Sequence, residues 1–473
     1  MFFLKINAIV LILLVVFSQL SCLKIEVTQT GETTSDRLTR KADLSFTNKA
    51  TSSIKFTIDP SSTYQKIFGF GAALTEAAAV NFLKLSSDLQ NEIFSQYYHN
   101  LGYTVARLHI NSCDFSESSY SFDDTADDFG LSDWSLNNGH DPHTLIPLAK
   151  KALSFNPNLK IFASPWSPPA WMKGNNQMIR SSDPGLKSNP QIHKSWALYF
   201  SKWISAYENE GIPIWGVTVQ NEPANDPTWE ACMYSPSEEA EFIANYLGPQ
   251  LKNDHPDLKI MIWDYNKDNI EIWADTILGN KQASQYVDGV AFHWYSGSQF
   301  ENVQSVYEKW GDKYFLFATE ACVCPAKGYQ DWNRGERYGY DIIGDLNAGS
   351  IGWVDWNICL DMEGGPNHLG NNCGSPVMVD ADSNPQRVVY NPPFFYMGQI
   401  SKFLIPDSIR IGLNIQNNDE NLVATSFLTP KNQIVLIVQN QNDNERSFDI
   451  VYKNMIANYI IPEHAITTFV FDA

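Results

Sequence analysis

The amino-acid sequence predicts an α/β protein: a (β/α)8 TIM barrel with a β-sandwich domain built from both chain ends. In the middle of the chain, eight short apolar runs alternate with helical segments, which is the pattern of a closed parallel barrel. Before this region, polar and apolar residues alternate, as they do in half-exposed antiparallel strands, and after it Asn-rich turns separate short strands. With 473 residues and 44% apolar content, the chain is long enough for one large domain and one smaller one.

The N-terminus has the features of a secretory signal peptide. Lys5 precedes an apolar stretch over residues 6–17, and small residues follow up to Cys22. This stretch is too short for a comfortable membrane span. We therefore expect residues 1–22 to be a signal peptide and the mature protein to be exported or to lie in the lumen of the secretory pathway.

The elements follow in order along the chain. Residues 23–65 are predicted to form the first part of the sandwich and residues 408–473 the second, where Asn-rich turns separate short strands. The barrel is predicted over residues 66–407. Its strands begin with the run at Ile67 and continue at 104–110, 159–163, 214–220, 259–263, 289–292, 314–318 and 351–356. The predicted helices lie at 75–98 (capped by Thr75), 142–154, 191–210, 236–252, 268–285, 302–311 and 338–348.

Two glutamates stand at the ends of predicted barrel strands. Glu222 follows strand four, which Pro223 stops, and Glu320 follows strand seven. These strands lie across the barrel mouth from each other, so their ends can place two carboxyl groups on either side of one bond. Such a pair suggests acid chemistry at one residue and nucleophilic chemistry at the other. Taken singly, each is also explained as a solvated carboxylate in a strand-ending turn.

Other polar and aromatic residues are predicted to open onto the same barrel face. Arg107 lies in strand two and Asp114 just after it, while His293 and Tyr295 end strand six and Trp356 ends strand eight. A buried arginine at the base of a site usually holds a carboxylate and keeps it ionised. For each residue alone, packing is supported at least as well as function, and His293 is also explained as a core histidine.

Composition excludes several classes of function. A formal net charge of −20 argues against binding nucleic acid by general electrostatics. It suits an acidic compartment, although a solvated acidic surface explains it equally well. The 7 cysteines show no zinc-ligand spacing, and the acidic residues at 123–128 lack the spacing of a calcium loop. We expect no metal and no organic cofactor, because both reacting carboxylates belong to the protein.

A set of ordered motifs resembles the lysosomal acid β-glucosylceramidases, which are retaining glycosidases with a barrel and a β-sandwich. The resemblance runs from about residue 64 to residue 395. It is carried by Cys113-Asp-Phe-Ser, Asp127-Asp-Phe, Ser164-Pro-Trp-Ser-Pro-Pro-Ala-Trp-Met-Lys, Asn221-Glu-Pro, Phe292-His-Trp-Tyr, Thr319-Glu-Ala-Cys, Trp356-Asn and Glu363-Gly-Gly-Pro-Asn.

The resemblance implies hydrolysis of glucosylceramide to glucose and ceramide by double displacement, with Glu222 as proton donor and Glu320 as nucleophile. A retaining reaction requires carboxyl groups about 5–5.5 Å apart. The resemblance further implies sugar contacts and supporting roles at other positions. Sugar contacts are expected from Asp114, Trp166, Asn221, Trp356 and Asn371, and support from Arg107, His293 and Tyr295, with Tyr295 beside the nucleophile.

The resemblance also bears on partners and location. A lipid substrate requires contact with a membrane surface, for which exposed aromatics at Trp229, Tyr234 and the Trp332 loop are candidates, although packing explains each of them as well. The family adds a small lipid-activator protein and a lysosomal location, with secretion as the alternative. The closely spaced N-terminal cysteines of the animal proteins are missing, so we expect no disulfide in that segment.

Two rival functions remain open. One is a related retaining β-glycosidase that acts on a β-glucan or another β-linked glycan, which would differ only in its loops. The other is an inactive barrel that binds sugar or lipid, against which the presence of both glutamates argues.

Overall fold

The computed structural model of this protein describes residues 23–417 and 419–473. The predicted signal peptide, residues 1–22, lies outside the described residues. The described chain divides into two compact units. One unit contains the described parts of residues 1–67 and 395–473 together with residues 335–343, and the other contains residues 68–334 and 344–394. The domain boundaries predicted from the sequence, after residues 65 and 407, stay a prediction.

The larger unit contains a closed barrel of eight parallel strands, which confirms the predicted fold class. The barrel strands, labelled β1 to β8, are Gly69–Ala73, Val105–Ile110, Lys160–Pro165, Ile214–Thr218, Lys259–Asn266, Gly289–His293, Phe315–Glu320 and Ser350–Asp355. Each strand pairs in parallel with the next along the chain, and β8 closes the barrel by pairing with β1. All eight carboxyl ends therefore meet on one face.

Apolar side chains fill the barrel interior. Phe162, Met261 and Phe317 pack together there with smaller residues from other strands, so the centre is a packed core and not a channel. The strands also approach one another closely at glycine. A Cβ atom at Gly71 would lie 1.8 Å from the carbonyl oxygen of Val105, and only glycine fits this contact between β1 and β2.

Helices alternate with the barrel strands. Within the larger unit they are Glu76–Lys84, Ser87–Phe94, Leu145–Phe155, Pro190–Asn209, Pro236–Phe242, Gly248–Asp254, Ile270–Gly279, Lys281–Ser284 and Phe300–Trp310. Two further helices, Trp332–Asn347 and Pro392–Ser401, contain residues of both units. Thr75 accepts a hydrogen bond from the Ala78 backbone N–H and is the predicted cap. The single helix predicted over 75–98 is interrupted, because Ser86 caps a second helix by accepting a bond from Leu89 N–H.

The smaller unit holds the β-sandwich, which is built from both chain ends as predicted. Its strands are Lys24–Gly31, Thr39–Arg40, Leu44–Ser45, Lys55–Lys66, Ile409–Gln416, Leu422–Leu428, Gln433–Asn440, Arg446–Tyr452, Met455–Ile461 and Ala465–Asp472. The first strand pairs antiparallel with the last. Buried aromatic rings, including Phe56, Phe448 and Phe469, pack inside this unit.

After β8, a small sheet forms from Leu360–Asp361, Val377–Asp380 and Arg387–Tyr390. Its first two strands bracket a loop that contributes to the site described below.

In the part of the chain that the structure describes, no helix is both long enough and apolar enough to cross a membrane.

Candidate active site

Buried polar side chains converge at the carboxyl ends of the barrel strands. Arg107 lies within β2, His293 ends β6 and Glu320 ends β7. Glu222 comes shortly after β4 and is 8% exposed, and Glu320 is 7% exposed. The structure thus brings the two predicted glutamates together on one face of the barrel.

The two glutamate side chains lie close to each other. One carboxylate oxygen of Glu222 and one of Glu320 lie within 4.8 Å of each other, and a ring nitrogen of His293 lies within the same distance of both. Retaining glycosidases hold their carboxyl groups about 5–5.5 Å apart, whereas inverting enzymes leave about 6.5–9.5 Å for a water molecule. Two oxygens that approach within 4.8 Å favour the retaining arrangement.

Arg107 lies beneath the pair and is fully buried. Its Nη1 donates to Oε2 of Glu320, and its Nη2 donates to Asp264 at 2.8 Å and to Asn221 Oδ1 at 3.0 Å. Burial lowers the pKa of this guanidinium, but the charges of Asp264 and Glu320 outweigh burial and raise it. Arg107 therefore remains charged and holds Glu320 in one orientation.

Glu320 accepts a second hydrogen bond on its other oxygen. The Tyr295 hydroxyl donates to Oε1 at 2.8 Å, so both carboxylate oxygens are engaged. Burial raises the pKa of Glu320, and the charge of Glu222 adds to this effect, while His293 and Arg107 act in the opposite direction.

Glu222 is held in an unusual backbone conformation. Its φ of +49° lies in the left-handed region, which a non-glycine residue adopts only when its surroundings compensate. The Glu222 N–H donates to the carbonyl oxygen of Asp264 at 3.0 Å. Its side chain accepts from Asn225 Nδ2 at 2.7 Å on Oε2, and His293 Nδ1 lies 3.3 Å from Oε1.

Asp264 is the central acceptor of this network and was not among the residues predicted from the sequence. It is fully buried in β5. Besides Arg107, it accepts hydrogen bonds from Thr218 at 2.7 Å, Thr319 at 2.6 Å and His293 at 3.0 Å. Burial alone would raise the pKa of Asp264, but Arg107 and His293 outweigh burial and hold it below its usual range.

An irregularity in the pairing of β5 with β6 explains why Asp264 was not predicted as a site residue. The pairing of β5 with β6 shifts register at this point, and both Trp263 and Asp264 have positive φ values, 72° and 61°. A bulge of this kind redirects a side chain and breaks the alternation on which strand interpretation rests. The only signal in the sequence was an aspartate directly after the apolar run 259–263.

His293 connects Asp264 to Glu222. Burial opposes a charge on the ring, but Glu320 and Asp264 outweigh it and raise the pKa of His293 to about 9. At acidic and neutral pH both ring nitrogens therefore carry protons. His293 then donates through Nε2 to Asp264 and through Nδ1 to Glu222, and is not merely a core histidine.

A cavity of about 270 Å³ opens above the two glutamates. The predicted sugar-contact residues and Tyr295 line it, whereas Arg107 and His293 lie beneath it. The predicted residues in its lining are Asp114, Trp166, Asn221, Trp356 and Asn371. The rings of Trp166 and Trp356 stack with centroids 5.1 Å apart and planes at 21°, and they lie over the Arg107 guanidinium at 4.9 and 5.5 Å.

Asp114 is held from the loop that follows β8. Asn371 and Asn367 donate to its Oδ2 at 3.1 and 3.2 Å. Burial raises the pKa of Asp114 to about 7, although these two hydrogen bonds lower it. A carboxyl group in this state can exchange hydrogen bonds with a sugar hydroxyl as donor or acceptor.

The three aromatic candidates for lipid contact differ in position. Trp229 is half-buried and lines the cavity, and Trp332 begins the helix Trp332–Asn347. Of the two readings of Tyr234, the structure supports packing over lipid contact, because its side chain is only 6% exposed. Its ring packs against Phe242, with centroids 6.0 Å apart.

The donor atoms of Glu222, His293 and Glu320 are close enough together to suggest a metal site. The chemistry of the set does not fit one, because an imidazole whose pKa is about 9 carries protons on both nitrogens at neutral pH and has no free lone pair for a cation. Arg107 also occupies the carboxylate of Glu320. A second cluster, Cys322, Cys324 and Cys373, has two of its sulfurs in a disulfide.

That disulfide, Cys324–Cys373, was not predicted. It joins residues 49 positions apart, and both cysteines line the cavity together with the free thiol of Cys322. Single cysteines spread along a chain carry no pairing signal of their own. Only the approach of the loops after β7 and β8 pairs these two.

Comparison with known proteins extends the geometric match. Residues 67–404 match the glycosyl hydrolase family 30 TIM-barrel domain, and residues 407–469 match the glycosyl hydrolase family 30 beta sandwich domain. The chain is 36% identical to putative glucosylceramidase 4 of Caenorhabditis elegans over 89% of this chain and 83% of that protein. It is 34% identical to the lysosomal acid glucosylceramidase of Mus musculus over 84% of this chain and 79% of that protein. The structure of an endo-beta1,6-glucanase superposes with a TM-score of 0.85 at 26% identity, covering 95% of this chain and 99% of that one.

Proposed function

Because the chain belongs to glycosyl hydrolase family 30, we propose that it hydrolyses glucosylceramide to glucose and ceramide with retention of configuration, using Glu222 as proton donor and Glu320 as nucleophile. The observation that carries this proposal is the pair of carboxylates within 4.8 Å of each other, one of them bound by Arg107 and Tyr295. The relatives named glucosylceramidase support the choice of substrate.

In the first step, Glu222 gives its proton to the departing oxygen while Glu320 attacks the anomeric carbon. Arg107 and Tyr295 hold the two oxygens of Glu320, so the attacking carboxylate starts in position. The protonated ring of His293 donates to Glu222 and stabilises the carboxylate that remains once the proton has left.

In the second step, Glu222 removes a proton from water, which attacks the anomeric carbon and releases Glu320. The bond between Glu320 and the sugar has by then removed the charge of that carboxylate, so the two glutamates do not repel each other. The same residue thus acts first as acid and then as base.

Cavity size supports a single terminal sugar in the site. Its volume of about 270 Å³ lies below the roughly 300–1,000 Å³ of pockets that enclose drug-sized ligands. One sugar ring on the surface formed by Trp166 and Trp356 fits such a space, with the leaving group outside. Ceramide can be such a leaving group, because its lipid chains need no enclosed binding subsite next to the sugar.

Labelling with a cyclitol epoxide, which reacts covalently with the nucleophile, tests reaction class and roles. We expect peptide mapping to find the label on Glu320, with protection by excess glucoside. A label on Glu222, or on no carboxylate, would contradict the assignment. The Glu320→Gln variant should bind the reagent without reacting.

Similarity to the endo-beta1,6-glucanase structure supports a second candidate, the hydrolysis of a β-1,6-glucan. Measuring kcat/KM on glucosylceramide in detergent micelles and on soluble β-1,6-glucan separates the two. A higher kcat/KM on the glucan than on glucosylceramide would show that the glucan, and not the lipid, is the substrate. A wild-type protein that binds an aryl β-glucoside without hydrolysing it would be an inactive sugar-binding barrel.

The proposal also covers the location of the protein and the way in which its cavity reaches a membrane lipid. It places the mature protein in the lysosome or outside the cell, and brings the cavity to a membrane surface, with the help of a small lipid-activator protein. The exposed Leu369 (39%) and half-buried Trp229 near the cavity support direct contact. Flotation with anionic liposomes at acidic pH, with and without a lipid-binding activator protein, tests this contact. Absence of binding in both arms would count against it.

A further inference from the structure

The Cys324–Cys373 disulfide joins two loops that both line the cavity. Cys324 follows Glu320 by a few residues after β7, and Cys373 lies in the loop that follows β8. Cys324 is exposed to solvent, whereas Cys373 is buried. A dissolved thiol can therefore approach the bond from the Cys324 residue, which is the exposed partner.

The loop that Cys373 anchors carries the two asparagines that hold Asp114. Asn371 Nδ2 and Asn367 Nδ2 donate to the same Asp114 oxygen at 3.1 and 3.2 Å. Asn367 Oδ1 also accepts from the backbone N–H of Asn371 at 3.1 Å, which makes this part of the loop one unit. Its position relative to the loop after β7 therefore affects the placement of Asp114.

Two backbone hydrogen bonds join the same two loops on either side of the disulfide. Ala326 N–H donates to the Asn372 carbonyl at 3.2 Å, and Gly374 N–H donates to the Val323 carbonyl at 2.9 Å. Both bonds flank the disulfide directly. They keep the loop attached when the disulfide opens, but they restrain it less than a covalent bond does.

Cys322 lies next to the disulfide without being part of it. Its Sγ is 3.5 Å from Sγ of Cys324 and 3.4 Å from the Tyr295 hydroxyl. Burial raises the pKa of the Cys322 thiol well above its usual range. Only the thiolate attacks a disulfide, so Cys322 stays out of the exchange, and the exposed Cys324 is the point of entry.

We propose that the Cys324–Cys373 disulfide is a thiol-sensitive clamp on the substrate-binding loop, and that small thiols weaken sugar binding by opening it. The effect on turnover rests on the proposed glycosidase function, whereas the effect on the loop does not. With the clamp open, the loop carrying Asn367 and Asn371 must be ordered again each time substrate binds, and that ordering lowers affinity.

The exchange is balanced by two small thiols. The first, as thiolate, attacks Sγ of Cys324 and forms a mixed disulfide, while the bond to Cys373 breaks and Cys373 leaves as a thiolate that takes up a proton. The second attacks the sulfur of the bound thiol, releases Cys324 and completes a small-molecule disulfide. The protein disulfide is reduced and the two thiols are oxidised.

The test is kinetic titration of the wild-type protein with dithiothreitol, with the state of each cysteine read by alkylation and mass spectrometry. On cleavage of Cys324–Cys373, we expect KM for an aryl β-glucoside to rise about three- to tenfold with kcat changed less than about twofold. The double variant Cys324→Ser/Cys373→Ser should show the high KM without reductant and no further response.

Two controls separate the clamp from other effects. Cys232→Ser changes a buried free cysteine outside the cavity and should keep both the wild-type KM and the response to dithiothreitol. Hydrogen exchange of residues 362–374 should accelerate on reduction whether or not the protein is a glycosidase. Cleavage of the disulfide with unchanged KM and unchanged exchange would overturn the clamp. Faster exchange in a protein without any glucosidase activity would instead overturn the proposed function alone.

Discussion

Nε2 of His293 lies 3.0 Å from Oδ1 of Asp264, and both side chains are fully buried. This contact places a negative charge behind an imidazole whose other nitrogen faces the proposed proton donor, Glu222. The protonation of His293 therefore depends on a residue that does not line the cavity.

Replacing Asp264 by Asn should lower both activity and the pKa of His293. The change removes a charge that raises the pKa of His293 to about 9 and leaves Arg107 with one carboxylate fewer. We expect kcat/KM to fall about 10- to 100-fold, as for groups that orient reacting residues. Imidazole NMR signals should titrate at lower pH than in the wild type. An unchanged His293 pKa would show that Asp264 acts only through packing.

Substitution of either glutamate should lower the rate of hydrolysis, but only for Glu222 should the size of this decrease depend on the leaving group. Glu222→Gln removes the proton donor, so hydrolysis of an alkyl glucoside should fall about 10²- to 10⁴-fold. The first step on an activated aryl glucoside needs little acid assistance and should fall far less. Glu320→Gln should abolish both, because neither substrate can form the covalent intermediate. Steady-state and burst kinetics on the two substrates provide the measurement, and a matching loss for Glu222→Gln on both would contradict its role.

Stability should fall as pH rises through the His293 titration. The folded-state pKa is raised from 6.5 to about 9, so the stabilisation is fully present below pH 6.5 and is lost as pH rises through about 9. The difference corresponds to roughly 3 kcal/mol. Denaturant unfolding of the wild type and of His293→Gln between pH 6 and pH 10 checks this. The difference in free energy of unfolding between the two proteins should become smaller as the pH rises. A constant difference would rule out stabilisation by the protonated His293.

Two glycines should differ strongly in how much substitution by alanine changes stability. A Cβ at Gly71 would lie 1.8 Å from the Val105 carbonyl oxygen inside the barrel wall, so Gly71→Ala should lower the free energy of unfolding by about 3 kcal/mol or more. Gly279 ends a helix, and its Cβ would meet no atom within 4 Å. Gly279→Ala should change the free energy of unfolding by less than about 1 kcal/mol. Thermal melting of both variants tests the pair.

Much of the fold and part of the site were predictable from the chain itself. The barrel strands could be found because each is a short apolar run between helical segments. Glu222 and Glu320 stood out because each breaks such a run at its carboxyl end. The choice between packing and lipid contact for Tyr234 stayed open, since a tyrosine in a loop has no pattern that reveals whether its ring packs inward. The helices predicted over 75–98 and 268–285 were also predicted as continuous, where the structure interrupts both.

The sequence by itself determined which strands form the barrel and which carboxylates stand at or shortly after the ends of strands four and seven, because periodicity and strand order are local properties of the chain. Only the tertiary structure decided that oxygens of Glu222 and Glu320 lie within 4.8 Å of each other, that a bulge turns Asp264 toward Arg107 and His293, and that Cys324 meets Cys373. Each of these depends on contacts between segments far apart in the chain. Their geometry is set by barrel closure and loop packing, which no single stretch of residues encodes.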